Sequence, residues 1–379
     1  MNSKEQGQYL DISKFVDKIF VYQFNKIKYV SFTLPFFKPI VNLLISSYNI
    51  LNLINISKKM ALHIDKENFE YVFIHQSKDY VQAPFLISFL KTKTIFFCAE
   101  PQRIIYDKGL LDTLKIDELK QKFSIMNIYT KSTNMIDNIC KQFLIGKIKK
   151  YDFQNVNNSN LILTNSYFSR ENILSSYGID SKVVHLGGDI FSNKKINIKS
   201  SIRRKNQVIS IGSINPIKCF ELIIYSIANI REEIRPDLLI IGNAVNRDYL
   251  KKLTKISTDN NVNLLIKINI TDLELKKNIQ ESLLFAYAPY LEPLGLVVIE
   301  TMSLGLPVIG IREGGIRETI INNYNGFLVD RDVKTFSKKI TELITNTDKY
   351  ISMKQNSLKE VEKYWNWDSA YQRFLQSIK

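Results

Sequence analysis

Cysteine is scarce and scattered: Cys98, Cys140 and Cys219 are the only three in 379 residues. So few, so spaced, exclude a disulfide framework and a thiolate metal site, and make a reducing, cytosolic compartment the expectation. Histidine is equally rare, and His63, His75 and His185 stand at no metal-ligand spacing. Glycine is missing altogether between Gly7 and Gly109, whereas ten of the fourteen glycines fall at or after Gly187. The two halves are therefore built differently. The opening residues, MNSKEQGQYLDISKF, are polar and mixed in charge, without the pattern of a signal peptide.

What is present fits two ordinary domains, with 45% hydrophobic residues to fill both cores. The formal net charge is +15, and neither half monopolises it. Such a balance suits phosphate-bearing ligands or an anionic membrane surface. No nucleic-acid motif and no aromatic-basic ladder accompany it, so nucleic acid is not expected as a partner.

The longest apolar run, residues 39–57, carries Asn42, Ser46, Asn49, Asn52 and Asn55 every three or four positions. That stripe argues against a membrane span and for an amphipathic helix packed on a sheet. A helix lying on a membrane surface is the alternative reading.

Tyr71–His75 and Thr94–Cys98 read as short buried strands, with a crossover helix over 83–90 between them. Leu161–Asn165 reads as a further strand before a helix that Ser166 or Ser169 could cap. Residues 190–206 are polar, basic and aperiodic, and mark a hinge. Beyond it strands alternate with helices (Val208–Ile211, 218–231, Leu238–Ile241, 246–258, Val262–Ile266, 272–281, Leu284–Ala286), ending with Phe327–Val329. This alternation predicts a doubly wound parallel sheet with its ligand crevice at the strands' carboxyl ends. Asp368 is expected to cap a terminal helix over 368–378.

The most informative stretch is 288–329. Glu292 and Glu300 frame a Pro-Leu-Gly-Leu turn, followed by a small-residue helix, a strand at Leu306–Gly310 and the pair Gly314-Gly315. Helix N-termini, backbone N–H groups and two carboxylates on one side of a sheet suit a ligand that is part phosphate and part polyol.

The string EPLGLVVIE, continued by ETMSLGLPVIG, GGIRE and NGFLV, resembles the signature of retaining glycosyltransferases of the GT-B fold, family 4 type (glycosyl transferases group 1). It differs from that signature mildly, at Leu294 and Thr301. The likeness reaches ISIGSINPIKCFEL at 209–222, where Lys218 matches the family lysine. Ser213 stands where an arginine is usual, and Cys219 where glycine is usual.

The resemblance implies an α/β, GT-B architecture of two Rossmann-like doubly wound domains facing across a cleft. Residues 1–190 would form the acceptor-side domain, with its first β-turn-α unit atypical or missing. Residues 207–357 would form the nucleotide-sugar domain, and 358–379 a helix crossing back. It also implies roles. Glu300 would hold the ribose hydroxyls, Glu292 would face the transferred sugar, and Lys218 would stabilise the leaving diphosphate. The loop of Gly212 and Ser213, and the turn of Pro293, Leu294, Gly295 and Leu296, would complete the donor site.

On the acceptor side Glu100, Arg103 and His75 are the candidates. A loop ion pair is the alternative for the first two, and a satisfied strand-end histidine for the third. Asp330-Arg331-Asp332 spells a metal-binding triplet of another fold, but its place after a strand reads as helix capping, so no metal and no cofactor are expected.

The expected function is retaining transfer of a sugar from a nucleotide-diphosphate sugar to a glycan or lipid-linked acceptor. The expected setting is cytoplasmic, extending to the inner face of a membrane. The alternative is a non-catalytic binding or partner subunit of the same fold, which Ser213, Ala99 and the glycine-free stretch 8–108 favour.

Overall fold

The computed structural model describes residues 16–29, 37–77, 79–106, 135–188 and 205–379. The described residues form two compact units: those up to Tyr106 together with Met135–Leu163, and those from Thr164 onward. Asp189 and residues 190–204 of the expected hinge lie outside the described residues.

The first unit contains α1 (Phe37–Ile64), β1 (Tyr71–His75), β2 (Lys93–Phe97), α2 (Arg103–Tyr106), α3 (Met135–Asn157) and β3 (Leu161–Thr164). The strands are parallel in the order β1-β2-β3, with Tyr71 opposite Lys93 and Ile95 opposite Leu161. Among the described residues no strand precedes Tyr71.

The connection expected as an α-helix over 83–90 is instead a 3-10 helix, Phe85–Phe89, entered from the extended Pro84. Ahead of it the backbone of Ala83 is held at both ends. Its N–H donates to Asp152 Oδ1 and its carbonyl accepts from Asn155 Nδ2, each at 2.8 Å. The core beneath joins Ile50, Tyr80 and Phe85 to Leu144 and Ile148.

In α1 the polar stripe turns partly inward. Asn49 is fully buried. It accepts from the Ile27 N–H and donates to the Ile27 carbonyl, each at 3.0 Å. Ser46 and Tyr80 each lie within hydrogen-bond reach of the Tyr29 hydroxyl. The extended segment 16–29 thus supplies polar partners that a helix on a sheet would lack.

The second unit begins with α4 (Tyr167–Tyr177), capped by Ser166, which accepts from the Ser169 N–H at 3.0 Å, and β4 (Lys182–Val183). Its large sheet comprises β5 (Gln207–Ile211), β6 (Asp237–Gly242), β7 (Leu264–Ile268), β8 (Leu284–Tyr287), β9 (Val308–Ile311) and β10 (Gly326–Val329). All six run parallel, in the order β10-β9-β8-β5-β6-β7.

The winding reverses between β5 and β8, the place where a crevice opens at strand carboxyl ends. Apolar residues fill both faces, as continuous Val/Ile/Leu runs dictate: Val208, Leu238 and Ile309 on one, Ile209, Leu239 and Val308 on the other.

The helices are α5 (Phe220–Ala228), α6 (Arg247–Asp259), α7 (Asp272–Glu281), α8 (Leu296–Ser303), α9 (Ile316–Thr319), α10 (Val333–Thr345), α11 (Thr347–Lys363) and α12 (Trp367–Ile378). The helix expected over 218–231 is broken at its start. A 3-10 turn, Pro216–Lys218, leads into Cys219 at φ +49°, and only then does α5 begin. The terminal helix is capped by Asn366 rather than Asp368, because Asn366 Oδ1 accepts from the Ser369 N–H at 2.7 Å and leaves Asp368 inside the first turn. This helix is tied to the start of the unit: Lys182 Nζ donates to the Ser377 carbonyl, and Arg373 Nη2 to that of His185.

Candidate active site

Two loops meet at the β5/β8 reversal. β5 is followed by Gly212, whose φ of +156° suits glycine, with Lys218 packed against it. The chain then crosses to the next loop through Ile214, which donates to the Ala244 carbonyl at 2.7 Å and accepts from the Asn246 N–H at 2.8 Å. Ser213 Oγ accepts from Asn215 Nδ2 at 2.8 Å. The Lys218 N–H closes the 3-10 turn onto the Asn215 carbonyl.

From there Lys218 Nζ reaches Glu292 Oε2 at 2.7 Å and the Tyr287 hydroxyl at 3.4 Å. Both charged side chains are about four-fifths buried, at 17% and 20% exposure, so their attraction is less screened than that of a surface pair.

The loop carrying Glu292 is fixed from three sides. The Tyr290 N–H donates to the Ile217 carbonyl at 2.9 Å, joining it to the lysine turn. The Gly315 N–H donates to the Glu292 carbonyl at 2.7 Å. A Cβ on Gly315 would stand 1.8 Å from the Pro293 oxygen, and one on Gly314 2.4 Å from the Glu292 oxygen. The glycine pair is therefore a contact surface for the Glu292 loop as well as the entry to α9.

On the third side Arg331 forks onto both Glu313 oxygens, at 2.9 and 2.7 Å, and donates to the carbonyls of Ala288 and Pro289. Its guanidinium lies 3.8 Å from the Tyr290 ring centre.

After Glu292 the chain turns through Leu294, which is buried in the core, and Gly295 at φ +79°, which caps α8. The first amides of that helix have no partner within it, and with the helix dipole they favour an anion. Glu300 lies on the same helix. Burial, aided by the Asp272 charge, pushes its carboxyl up to about 7. Gly188 packs directly on this turn, where a Cβ would stand 2.7 Å from the Ile299 side chain.

Glu318, the glutamate of the GGIRE string, faces away to other work. It accepts from the N–H groups of Tyr167 and Phe168, at 2.9 and 3.0 Å, and pairs with His185 Nε2 at 2.8 Å. Burial opposes its ionisation, but the ring and the two amides outweigh that and hold the carboxyl below its ordinary range. His185 also meets the Tyr364 hydroxyl through Nδ1 at 2.8 Å. Asp332 caps α10 by accepting from the Thr335 N–H at 2.7 Å.

The structure thus brings Lys218, Glu292 and Gly212 into one constellation. Ser213 and Pro293–Leu296 form its loops, and Glu300 sits on the helix that leaves it. His75, Glu100 and Arg103 lie in the first unit. Glu100 and Arg103 are ion-paired with each other. The His75 ring packs between Phe73 and Phe97, at centroid distances of 5.1 and 5.6 Å, and the resulting desolvation lowers its pKa. Arg331 and Tyr287 were not singled out from the sequence, since an arginine in a D-R-D triplet and a tyrosine ending a strand carry no spacing signal. The close approach of the glycine pair was encoded only as the GG of a string.

Residues 192–360 match the family of glycosyl transferases group 1. Among curated relatives, a GDP-Man:Man(3)GlcNAc(2)-PP-Dol alpha-1,2-mannosyltransferase of Xenopus tropicalis is 23% identical over 222 residues, 54% of this chain and 45% of its own. The chain thus spans about half the length of that relative. A GDP-mannose-dependent alpha-(1-6)-phosphatidylinositol monomannoside mannosyltransferase of Mycobacterium tuberculosis is 34% identical over 79 residues, 21% of this chain and 20% of its own. The crystal structure of Anabaena HepE with UDP and glucose superimposes with a TM-score of 0.65 at 17% identity, covering 86% of this chain and 81% of that one. The architecture is GT-B.

Proposed function

We propose that this chain is a retaining glycosyltransferase that takes a hexose from a nucleotide-diphosphate sugar and gives it to a glycan or lipid-linked acceptor. The observation that carries the reading is the Lys218–Glu292 pair, held where the winding of a parallel sheet reverses and followed directly by the amides of α8. The relatives use GDP-mannose and the superimposed structure holds UDP, which sets the donor panel to try. In this account residues 207–357 serve the donor and residues 1–190 the acceptor.

A donor diphosphate arriving at the N-terminus of α8 competes with Glu292 for Lys218. The ammonium then neutralises charge that grows on the leaving β-phosphate, and the α8 amides share it. Glu292, released from the lysine, faces the sugar. Glu300 accepts from the ribose hydroxyls. In this account no side chain acts as a nucleophile: the departing phosphate itself receives the acceptor's proton, and the protein orients and stabilises charge.

Titration calorimetry with UDP and GDP, each against its nucleoside, tests the donor half. The reading requires at least one diphosphate to bind well above its nucleoside. Absence of binding by both would remove it, together with the alternative of a non-catalytic nucleotide-binding subunit.

A further inference from the structure

Helix α1 buries polar as well as apolar residues and leaves large apolar ones outside. Its buried face carries Ser46 and the fully buried Asn49 beside Ile50, while Phe37 and Leu44 are 64% and 63% exposed. Ile40, Tyr48 and Leu51 continue the exposed row, and recurrence every three or four positions makes it one stripe along the helix.

Helix α3 repeats the arrangement. Leu144 and Ile148 enter the core, whereas Met135, Ile139 and Phe143 are exposed, the last at 62%. The two helices lie side by side and run parallel. Residues 39–46 of α1 and 137–144 of α3 line one shared pocket, and Ile54 lines a second with Tyr151. The apolar rows at their N-terminal halves are therefore neighbours, and each row is followed along its own helix by exposed lysines, Lys58 and Lys59 on α1 and Lys149 and Lys150 on α3.

Among the described residues, the charge along the two helices is mainly positive. α1 contains no acidic residue in its 28 positions. The two acids of α3 are occupied, Asp137 by Lys141 at 2.6 Å and Asp152, fully buried, by the Ala83 N–H. By length and composition α1 could cross a bilayer. Yet Ile50, Asn49 and Ala61 are committed to the unit's own interior, and a crossing would strip them from it.

We propose that the α1/α3 face is a docking surface for an anionic lipid bilayer. The two apolar rows would enter the headgroup–acyl boundary, and the lysines behind them would meet the phosphates. An apolar row flanked by cations with no facing acid is what an interfacial helix requires. A second copy of the same face would bring lysines against lysines and is disfavoured by that charge. The inference stands apart from the donor site and does not rest on it.

The test is flotation of the full chain with vesicles of phosphatidylcholine alone and of phosphatidylcholine with phosphatidylglycerol. The native chain should float with the anionic vesicles and hardly with the neutral ones. Leu44→Glu/Phe143→Glu, both at exposed positions, should lower the bound fraction by roughly tenfold or more. Lys58→Glu/Lys59→Glu should weaken binding by roughly fivefold for each lysine removed. Circular dichroism and an unchanged melting transition would show that the variants fold. Flotation equal for native chain and apolar variant, or none with anionic vesicles, would overturn the proposal. So would a native dimer in light scattering that the apolar variant alone converts to monomer, since the occupant would then be a second copy.

Discussion

Lys218 Nζ lies 2.7 Å from Glu292 Oε2, so the loop after β5 and the loop after β8 are locked by one ion pair. Each charge is already compensated, and an arriving phosphate must take the lysine from the carboxylate. Lys218→Ala should therefore cost a nucleoside diphosphate about 1.5–3 kcal/mol of binding, the worth of a charged hydrogen bond, and its nucleoside far less. Calorimetry with both ligands checks this, and equal losses contradict it. Ser213→Arg should tighten the diphosphate, because the added guanidinium would join Lys218 and the α8 amides in neutralising it.

Glu300 makes a pH prediction with a definite sign. Its folded pKa, about 7, is raised above the ordinary 4.5. Its contribution to stability is therefore full below about 4.5 and lost as pH rises through about 7. Glu300→Gln should raise the melting temperature of the ligand-free protein at about pH 8 and change it little near pH 4.5. Ribose hydroxyls donate to the ionised carboxylate, so nucleotide affinity of the native chain should fall as pH drops below about 7. In the Gln variant affinity should be about 10- to 100-fold lower and flat with pH. A native affinity indifferent to pH would remove Glu300 from the site.

The glycines offer a matched pair of substitutions. A methyl group at Gly315 would overlap the Pro293 carbonyl, so Gly315→Ala should cost about 1–3 kcal/mol in urea denaturation and weaken nucleotide binding. Gly146, on α3, has open space around its Cβ direction. Gly146→Ala should stabilise the chain by about 0.5–1 kcal/mol. Equal effects of the two would show that the Glu292 loop is not wedged by the glycine pair.

Arg331 should act on the donor loop without touching the ligand. Arg331→Lys keeps the charge but cannot reproduce the fork onto Glu313 together with the Ala288 and Pro289 carbonyls. Nucleotide affinity should fall in this variant although every residue of the Lys218–Glu292–Glu300 set is intact. Unchanged affinity and melting temperature would show that the loop holds itself.

Much of the second unit was legible, because most strands of its large sheet are buried on both faces and read as unbroken apolar runs between helices. The Glu292-to-Glu300 string and Lys218 were legible as motif, but their direct pairing was not, since β5 and β8 become neighbours only through the sheet's reversal. The first unit was less legible. The inward face of α1 depends on Asn49 meeting the backbone of Ile27 and on Ser46 meeting Tyr29, contacts with a segment that forms no helix or strand of its own. The 3-10 helix in place of an α-helix at 85–89 follows from Pro84 and from the hold of Asp152 and Asn155 on Ala83, partners some seventy positions away. Asn366 took the cap expected of Asp368 because a cap is decided by which side chain precedes the first turn, and the pattern left that open by two residues.

The central claim is that Lys218, Glu292 and Glu300 serve one nucleotide sugar. Release of nucleoside diphosphate from a panel of UDP and GDP sugars, with water as the acceptor, tests it most directly. The account predicts slow release from at least one donor. Glu292→Gln should abolish that release without weakening nucleotide affinity, since it frees Lys218 for the diphosphate. Nucleotide binding without release from any donor would contradict the enzymatic reading and leave a binding subunit, and release undiminished in Glu292→Gln would contradict the site.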